Sequence, residues 1–153
     1  MKFLHLLLLG SLLINIKTYS QTQNFNLKNL ETLSIRFGDG QDLLSSKVKQ
    51  KIITETKLKF KSAGIEIVKH DSSNSYFFIR VQAIKSRFSE HRILLQIGIY
   101  ENIKTLRKGN ITTGAITYFD ESFFTGKNIE ELVYDEFMDK LIIKFLEKYL
   151  DSN

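Results

Sequence analysis

Apolar and polar residues alternate in three stretches of this chain and recur at helical spacing in two. Leu33, Ile35 and Phe37 alternate with Ser34, Arg36 and Gly38, which predicts a half-buried first strand closed by Gly38-Asp39-Gly40. Asp42 or Ser45 then caps a helix running to about Ala63, with Leu44, Val48 and Ile52 as its apolar stripe and Ala63 closing it. Gly64 stands just past the last turn, where a left-handed residue closes a helix. Ile65 to Val68 reads as a short second strand, and His70 to Asn74 as a polar turn. Phe77, Ile79 and Val81 share one face of a third strand, Tyr76 to Ile84; Ile93, Leu95, Ile97 and Ile99 share one face of a fourth, Arg92 to Tyr100. Lys108-Gly109-Asn110 is a hairpin turn signal leading into a fifth strand, Ile111 to Phe119. A bulge at Glu101-Asn102 leaves open which face of that strand meets the core.

The last helix has the strongest pattern. Val133, Phe137, Leu141, Phe145 and Tyr149 form a stripe, widened by Met138, Ile142 and Leu146. Asn128 is placed to cap it, with Glu131 three residues on as in a capping box. Acids cluster at its start and lysines at its end, matching the helix dipole. The order β-α-β-β-β-β-α, with long antiparallel strands, predicts an α+β two-layer sandwich: a mostly antiparallel sheet with both helices on one face.

The first twenty residues differ in kind. Met1-Lys2 precedes an apolar run from Phe3 to Ile16, and Thr18-Tyr19-Ser20 offers small residues at the exit. These are the parts of a cleavable secretory signal, and the run is shorter than the roughly 20 residues that span a bilayer. The expected organisation is a signal peptide at 1–20, a polar flexible leader at 21–29 and a single domain at 30–153, exported to the periplasm or secreted, without a stable membrane anchor after cleavage. With no cysteine in the chain, lipid attachment at a cysteine, disulfides and thiolate chemistry are closed. Such a domain rests on its hydrophobic core, and a chain of about 130 residues buries roughly two-thirds of its surface. Of 22 basic residues Lys2 and Lys17 fall in the signal, leaving 20 against 17 acids, a net +3. That is too mild a charge to imply nucleic acid.

Candidate chemistry is sparse. His70 and His91 stand at no metal-ligand spacing, and no paired metal motif, nucleophile elbow, phosphate loop or dinucleotide fingerprint occurs. No catalytic residue, metal site or cofactor is expected. Gly38 to Asp42 resembles a calcium loop only at its start and reads as a plain turn. Asp120 and Glu121 are adjacent strand residues that point to opposite faces. The lysines of the first helix, from Lys47 to Lys61, read as the solvated face of an amphipathic helix, with an acidic-partner or membrane-surface site as the alternative.

The outer face of the sheet is the informative surface. It carries Tyr76, Phe78, Arg80 and Gln82 on the third strand and Leu94, Gln96, Gly98 and Tyr100 on the fourth, where a solvated face is mostly polar. Tyr76, Phe78 and Tyr100 are therefore the candidate binding residues, for a protein partner or for self-association. Gly98 within a strand marks either the close approach of another group or a neighbouring aromatic lying over it, with Tyr118 in reach.

With these elements placed, the run Lys61-Ser62-Ala63-Gly64-Ile65-Glu66-Ile67-Val68, then Tyr76 to Val81, Leu106-Arg107, Ala115-Ile116-Thr117-Tyr118 and Phe145 to Asn153, resembles a family of small exported bacterial proteins of uncharacterised function. That family runs helix, A-G-I-x-V, a Y-x-x-V-type strand, L-x-R, an A-T-T-W-like strand and a terminal helix closing in Y-L-x-x-N. Tyr118 stands where the family has Trp, and Ile116 where it has Thr. The resemblance implies a fold and export, and carries no catalytic residues. The expected function is that of an exported, non-catalytic, envelope-associated binding module. The alternatives are a hydrolase whose site is built from scattered residues, and a structural subunit of an envelope assembly.

Overall fold

Alternation builds the sheet and four-residue spacing builds the layer that covers it. The computed structural model describes residues 27–69, 75–84, 91–106 and 109–153. The expected signal segment 1–20, the first part of the leader at 21–26, the turn from His70 to Asn74, and Arg107 and Lys108 lie outside the described residues. The elements are β1 (Thr32–Asp39), α1 (Ser46–Ser62), β2 (Glu66–Ile67), β3 (Ser75–Ile84), β4 (His91–Lys104), β5 (Thr112–Gly126) and a continuous terminal helix. That helix comprises α2 (Ile129–Glu136), a π-helical turn (Phe137–Leu141) and α3 (Ile142–Ser152). The strands form one sheet in the order β2-β1-β3-β4-β5. β1 runs parallel to both β2 and β3, whereas β3, β4 and β5 are antiparallel. The α+β class, the mostly antiparallel sheet and the one-sided helical layer are as the periodicity predicts.

One face of the sheet is the floor of the core. Leu33, Phe77, Ile79, Val81, Ile93, Leu95, Ile97 and Ile99 are all buried there. α1 and the terminal helix seal it through a ring cluster. Phe145 lies 5.2 Å from Phe60, 5.3 Å from Phe77 and 5.0 Å from Tyr118, edge-on to the last. Such edge-on and tilted contacts add to the burial of the rings themselves.

Local signals explain the ends of α1. Ser45, not Asp42, is the cap; its backbone is extended and its hydroxyl accepts from Val48 N–H at 3.4 Å. At the other end Gly64 takes φ +89°, Ile65 N–H bonds Phe60 C=O at 2.9 Å and Gly64 N–H bonds Lys61 C=O at 3.1 Å. This is the paired closure that a left-handed glycine permits, and its partners Phe60 and Ile65 are both fully buried. The buried stripe of α1 is Ile52, Thr56 and Phe60, while Val48 is half-buried. Thr56 tolerates burial because its hydroxyl donates back to Ile52 C=O at 2.7 Å.

At the terminal helix the expected cap changes, while the expected stripe is buried with the help of a wider turn. Asn128 does not cap α2 with its side chain; its amide donates instead to Glu131 Oε2 at 2.5 Å, and its backbone carbonyl accepts from Leu132. A charged acceptor makes the stronger hydrogen bond. The stripe at 133, 137, 141, 145 and 149 also repeats every fourth residue, which overruns an α-helix by about 40° per step. The wider π turn at Phe137–Leu141 takes up that drift, so Val133, Phe137, Leu141, Phe145 and Tyr149 all stay buried.

Strand five is longer than expected, and its irregularity lies elsewhere. Ile99 pairs with Tyr118 and Tyr100 with Ile116, so Thr117 is the extra residue and the register shifts between Ile99 and Tyr100, not at Glu101-Asn102. The extra residue reverses the parity of β5. Beyond it Tyr118 enters the core, fully buried. Before it Ile116 shares the opposite face with Tyr100.

The end of the expected leader is also part of the domain. Leu27 and Leu30 are buried. Asn29 N–H donates to Asn153 Oδ1 at 3.0 Å, and the Asn153 amide donates to Leu27 C=O at 3.1 Å and Tyr149 C=O at 2.9 Å. Leu27 and Asn29 are thus held against the domain by Asn153.

Candidate functional site

The register of the four long strands lays out the face turned away from the helices. Tyr76 of β3 pairs with Tyr100 of β4, which pairs with Ile116 of β5. The next row along β3 is Arg36, Phe78, Gly98 and Phe119, and the one after is Gly38, Arg80, Gln96 and Glu121. A further row joins Gln82, Leu94 and Phe123. Tyr76, Phe78 and Tyr100 are therefore brought together on one surface, each half-buried.

Their rings pack against the sheet and each other. Tyr76 and Tyr100 stack at 4.9 Å, and Phe78 lies 6.5 Å from Phe119. Phe78 covers Gly98: a Cβ built on that glycine would sit 2.6 Å from Phe78 Cζ and 2.5 Å from the Tyr118 carbonyl oxygen. Of the two readings of Gly98, the neighbouring aromatic is the one realised. It is Phe78 and not Tyr118, whose ring is in the core and only whose backbone reaches the glycine. Tyr100 lies over Gly114 in the same way. Two glycines on adjacent strands thus let two rings lie down, and the face becomes shallow and apolar instead of ridged.

Cations border it. The Arg36 guanidinium sits 3.7 Å from the Tyr76 ring centre, and that of Arg80 5.9 Å from the Phe78 ring centre. Both arginines are exposed. Glu121 is engaged by the Gln96 amide at 3.0 Å. Towards the β5 edge, Ile116 and Phe123 are each 55% exposed. Arg36, Ile116, Phe119 and Phe123 escape sequence reasoning as members of this surface. The pairing of β1 beside β3 and the parity reversal at Thr117 put them there, and neither is visible in a two-residue period.

Several charged groups away from this face serve the fold. Asp120 points to the helical side, where Lys144 meets it at 2.7 Å, while Glu121 points outward, as alternation requires. Burial pushes the Tyr118 hydroxyl well above the usual tyrosine range, with the Asp120 carboxylate adding to it. Among the α1 lysines, Lys49 pairs with Asp39 at 3.0 Å and Lys51 lies 3.8 Å from the Tyr134 ring centre. The run is thus partly spent on packing. Among the described residues no group of three or more acids or histidines is placed to hold a metal ion, and no helix is long and apolar enough to cross a membrane.

Asp39 gives the fold an acid limit. Its side chain is 1% exposed, and its carboxylate accepts from the N–H groups of Leu43 and Leu44, each at 2.9 Å, and from Lys49. Burial alone would raise its pKa, but the two backbone donors and Lys49 outweigh it and hold the carboxyl below its ordinary 3.8. The unfolded chain therefore takes up this proton first as pH falls. The stabilisation is complete above about pH 4 and is lost as pH drops through the lower folded value. Melting temperatures measured from about pH 6 to pH 2 are expected to fall below pH 4, with a shallower slope in Asp39→Asn. An identical slope in that variant would assign the acid limit to other groups.

No family model matches the chain, and no curated protein sequence matches it. Among solved structures it is similar to a PelC dodecamer from Paraburkholderia phytofirmans, at 10% identity and a TM-score of 0.43, over 79% of this chain and 86% of that one. It is also similar to a minor lipoprotein from Acinetobacter baumannii, at 12% identity and a TM-score of 0.32, over 77% of this chain and 94% of that one.

Proposed function

We propose that this protein is an exported, envelope-associated binding module without catalytic activity, and that it engages a protein partner through the open face of its sheet around Tyr76, Phe78 and Tyr100. The observation that carries the reading is the one-sided helical layer. The face it leaves bare is paved with aromatic rings and edged by Ile116 and Phe123, each 55% exposed. Contiguous apolar surface of this kind is unfavourable in water and marks contact sites, which are enriched in Tyr, Phe and Arg. Export rests on the opening twenty residues, with their basic start, short apolar run and small-residue exit. Asp39, held by backbone N–H groups and Lys49, and Glu136, held by Ser122 and Lys140, each tie neighbouring elements of the fold together.

Site-specific photo-crosslinking in the native host tests this. A crosslinking residue at 116 or 123 on the sheet face is compared with one at 58 or 150, where Leu58 and Leu150 are similarly exposed at 61% and 60% on the helical layer. Discrete adducts are expected from the sheet face alone. Adducts confined to the helical positions, or none from either, would overturn the assignment.

A further inference from the structure

Besides its face, the sheet leaves one long edge open. β5 runs for 15 residues, Thr112–Gly126, and ends the strand order with no strand beyond it among the described residues. An edge strand presents a row of backbone N–H and C=O groups to any strand that can match it. One such group shows its direction here: Glu121 N–H is turned from β4 and donates to the carboxylate of its own neighbour Asp120 at 3.0 Å. Backbone groups of alternate residues point to the same side of a strand, so those of Phe119, Phe123 and Thr125 face the open edge with it. We propose that a second copy of this chain takes up these groups, β5 against β5, antiparallel about a two-fold axis at Phe123.

The side chains select the register. An antiparallel pairing of identical strands sets the residue at its axis opposite itself. An axis at Asp120 or Glu121 puts two carboxylates directly opposite, which is destabilising, and one at Ser122 leaves the two Glu121 side chains diagonal neighbours. An axis at Phe123 sets that ring, 55% exposed in the single chain, against its copy. It also sets Glu121 opposite Thr125 of the second copy, and Asp120 opposite Gly126, which has no side chain to oppose it. Aromatic pairs across strands stabilise a sheet. Two features that guard an edge stand clear of this pairing. The bulge at Thr117 lies outside the overlap from Phe119 to Lys127, and the inward charge of Asp120 is already met by Lys144 at 2.7 Å. An unrelated strand satisfies the same backbone groups, but the self-pairing alone is selected by Phe123 and by the spacing of the acids. Association closes at two copies because the opposite edge is stepped. β2 is only Glu66–Ile67 and β1 goes on past it to Asp39, so no single strand of that length lies along it. The two-fold axis keeps both open faces on one side, so the product is one continuous sheet bearing two aromatic surfaces.

Cysteine placement reads out both partner and register, because the chain has no cysteine of its own. Directly opposite Cα atoms in a hydrogen-bonded pair are about 5.5 Å apart, within disulfide reach, whereas the two copies of a residue two places from the axis are roughly 14 Å apart. Phe123→Cys in the full chain, under mild oxidation, is expected to give at least about tenfold more disulfide-linked dimer than Thr125→Cys. Sedimentation of the unaltered chain is expected to show a monomer–dimer equilibrium that Thr125→Pro abolishes. Proline there removes an N–H from the open edge and none from the β4 ladder, and a melting curve checks that the variant is folded. If it is not, the cysteine pair decides alone. Comparable crosslinking at 123 and 125, a single monomeric species at about 500 μM, an assembly larger than a dimer, or a dimer that survives Thr125→Pro overturns the proposal. The edge and the face are tested separately. Position 116 lies outside the overlap, so photo-crosslinked adducts there report on the face, whereas an adduct at 123 with the mass of two copies supports the seam.

Discussion

Replacing Phe145 with alanine is expected to lower the unfolding free energy by about 3–5 kcal/mol, the cost of deleting a fully buried ring from a close-packed core. Phe145 is fully buried. Its contacts join every layer: Phe60 of α1, Phe77 of β3, Tyr118 of β5 and, at 6.4 Å, Tyr149 of its own helix. The neighbours are anchored separately. Phe60 belongs to the α1 closure, and Tyr118 is tied to Asp120. They are poorly placed to collapse into the gap, which puts the expected cost at the upper end. Domains hold only roughly 5–15 kcal/mol in all, so the variant sits near the edge of folding. Urea denaturation measures the difference. A loss below about 1 kcal/mol would mean that the ring cluster is not the centre of the core.

Gly98→Ala is expected to be the second most damaging change, at about 3 kcal/mol, the upper range for overpacking. Its methyl group would meet the Tyr118 carbonyl oxygen at 2.5 Å and the Phe78 ring at 2.6 Å. A ring can swing, but the carbonyl belongs to the β4–β5 ladder and can move only with the strand. Gly114 provides the control. The three nearest atoms that a Cβ would meet there all belong to the Tyr100 side chain. Tyr100 is half-buried and free to turn outward, so Gly114→Ala is expected to cost roughly 1 kcal/mol or less. Paired thermal melts of the two variants distinguish fixed backbone from movable side chain. Equal losses would contradict the geometry of the Gly98 contact.

Much of this architecture is legible in the residue pattern, and the rest is hidden for identifiable reasons. The core faces of β3 and β4 follow directly from unbroken alternation, because each strand is buried on one side only. The outward position of Tyr76, Phe78 and Tyr100 follows from the same parity. Thr56 and Phe60 go unrecognised because the expected α1 stripe passes from Ile52 to Ala63, and a threonine reads as surface until its hydroxyl is seen bonded back to Ile52. The facing of β5 is illegible because one extra residue, Thr117, inverts it, and nothing in Ala115-Ile116-Thr117-Tyr118 shows which residue is the supernumerary one. Arg36 lies on the aromatic surface because β1 pairs in parallel with β3, a neighbour some forty positions on. Pairings so distant leave no local trace. The clasp between Leu27, Asn29 and Asn153 is invisible for the same reason.

The position of Phe145 and Asn153 after every strand of the sheet has a consequence for the order in which the protein is made. Synthesis runs from the N-terminus, so every strand through Gly126 is available before the terminal helix exists. During that interval the row from Phe77 to Ile99 has α1 as its cover and no second helix. A nascent or prematurely ended chain therefore presents a wide apolar sheet, the kind of surface through which folding intermediates associate. Release from that hazard arrives only with the terminal helix, which supplies the Phe145 ring at the centre of the core and leads into the Asn153 amide that holds Leu27.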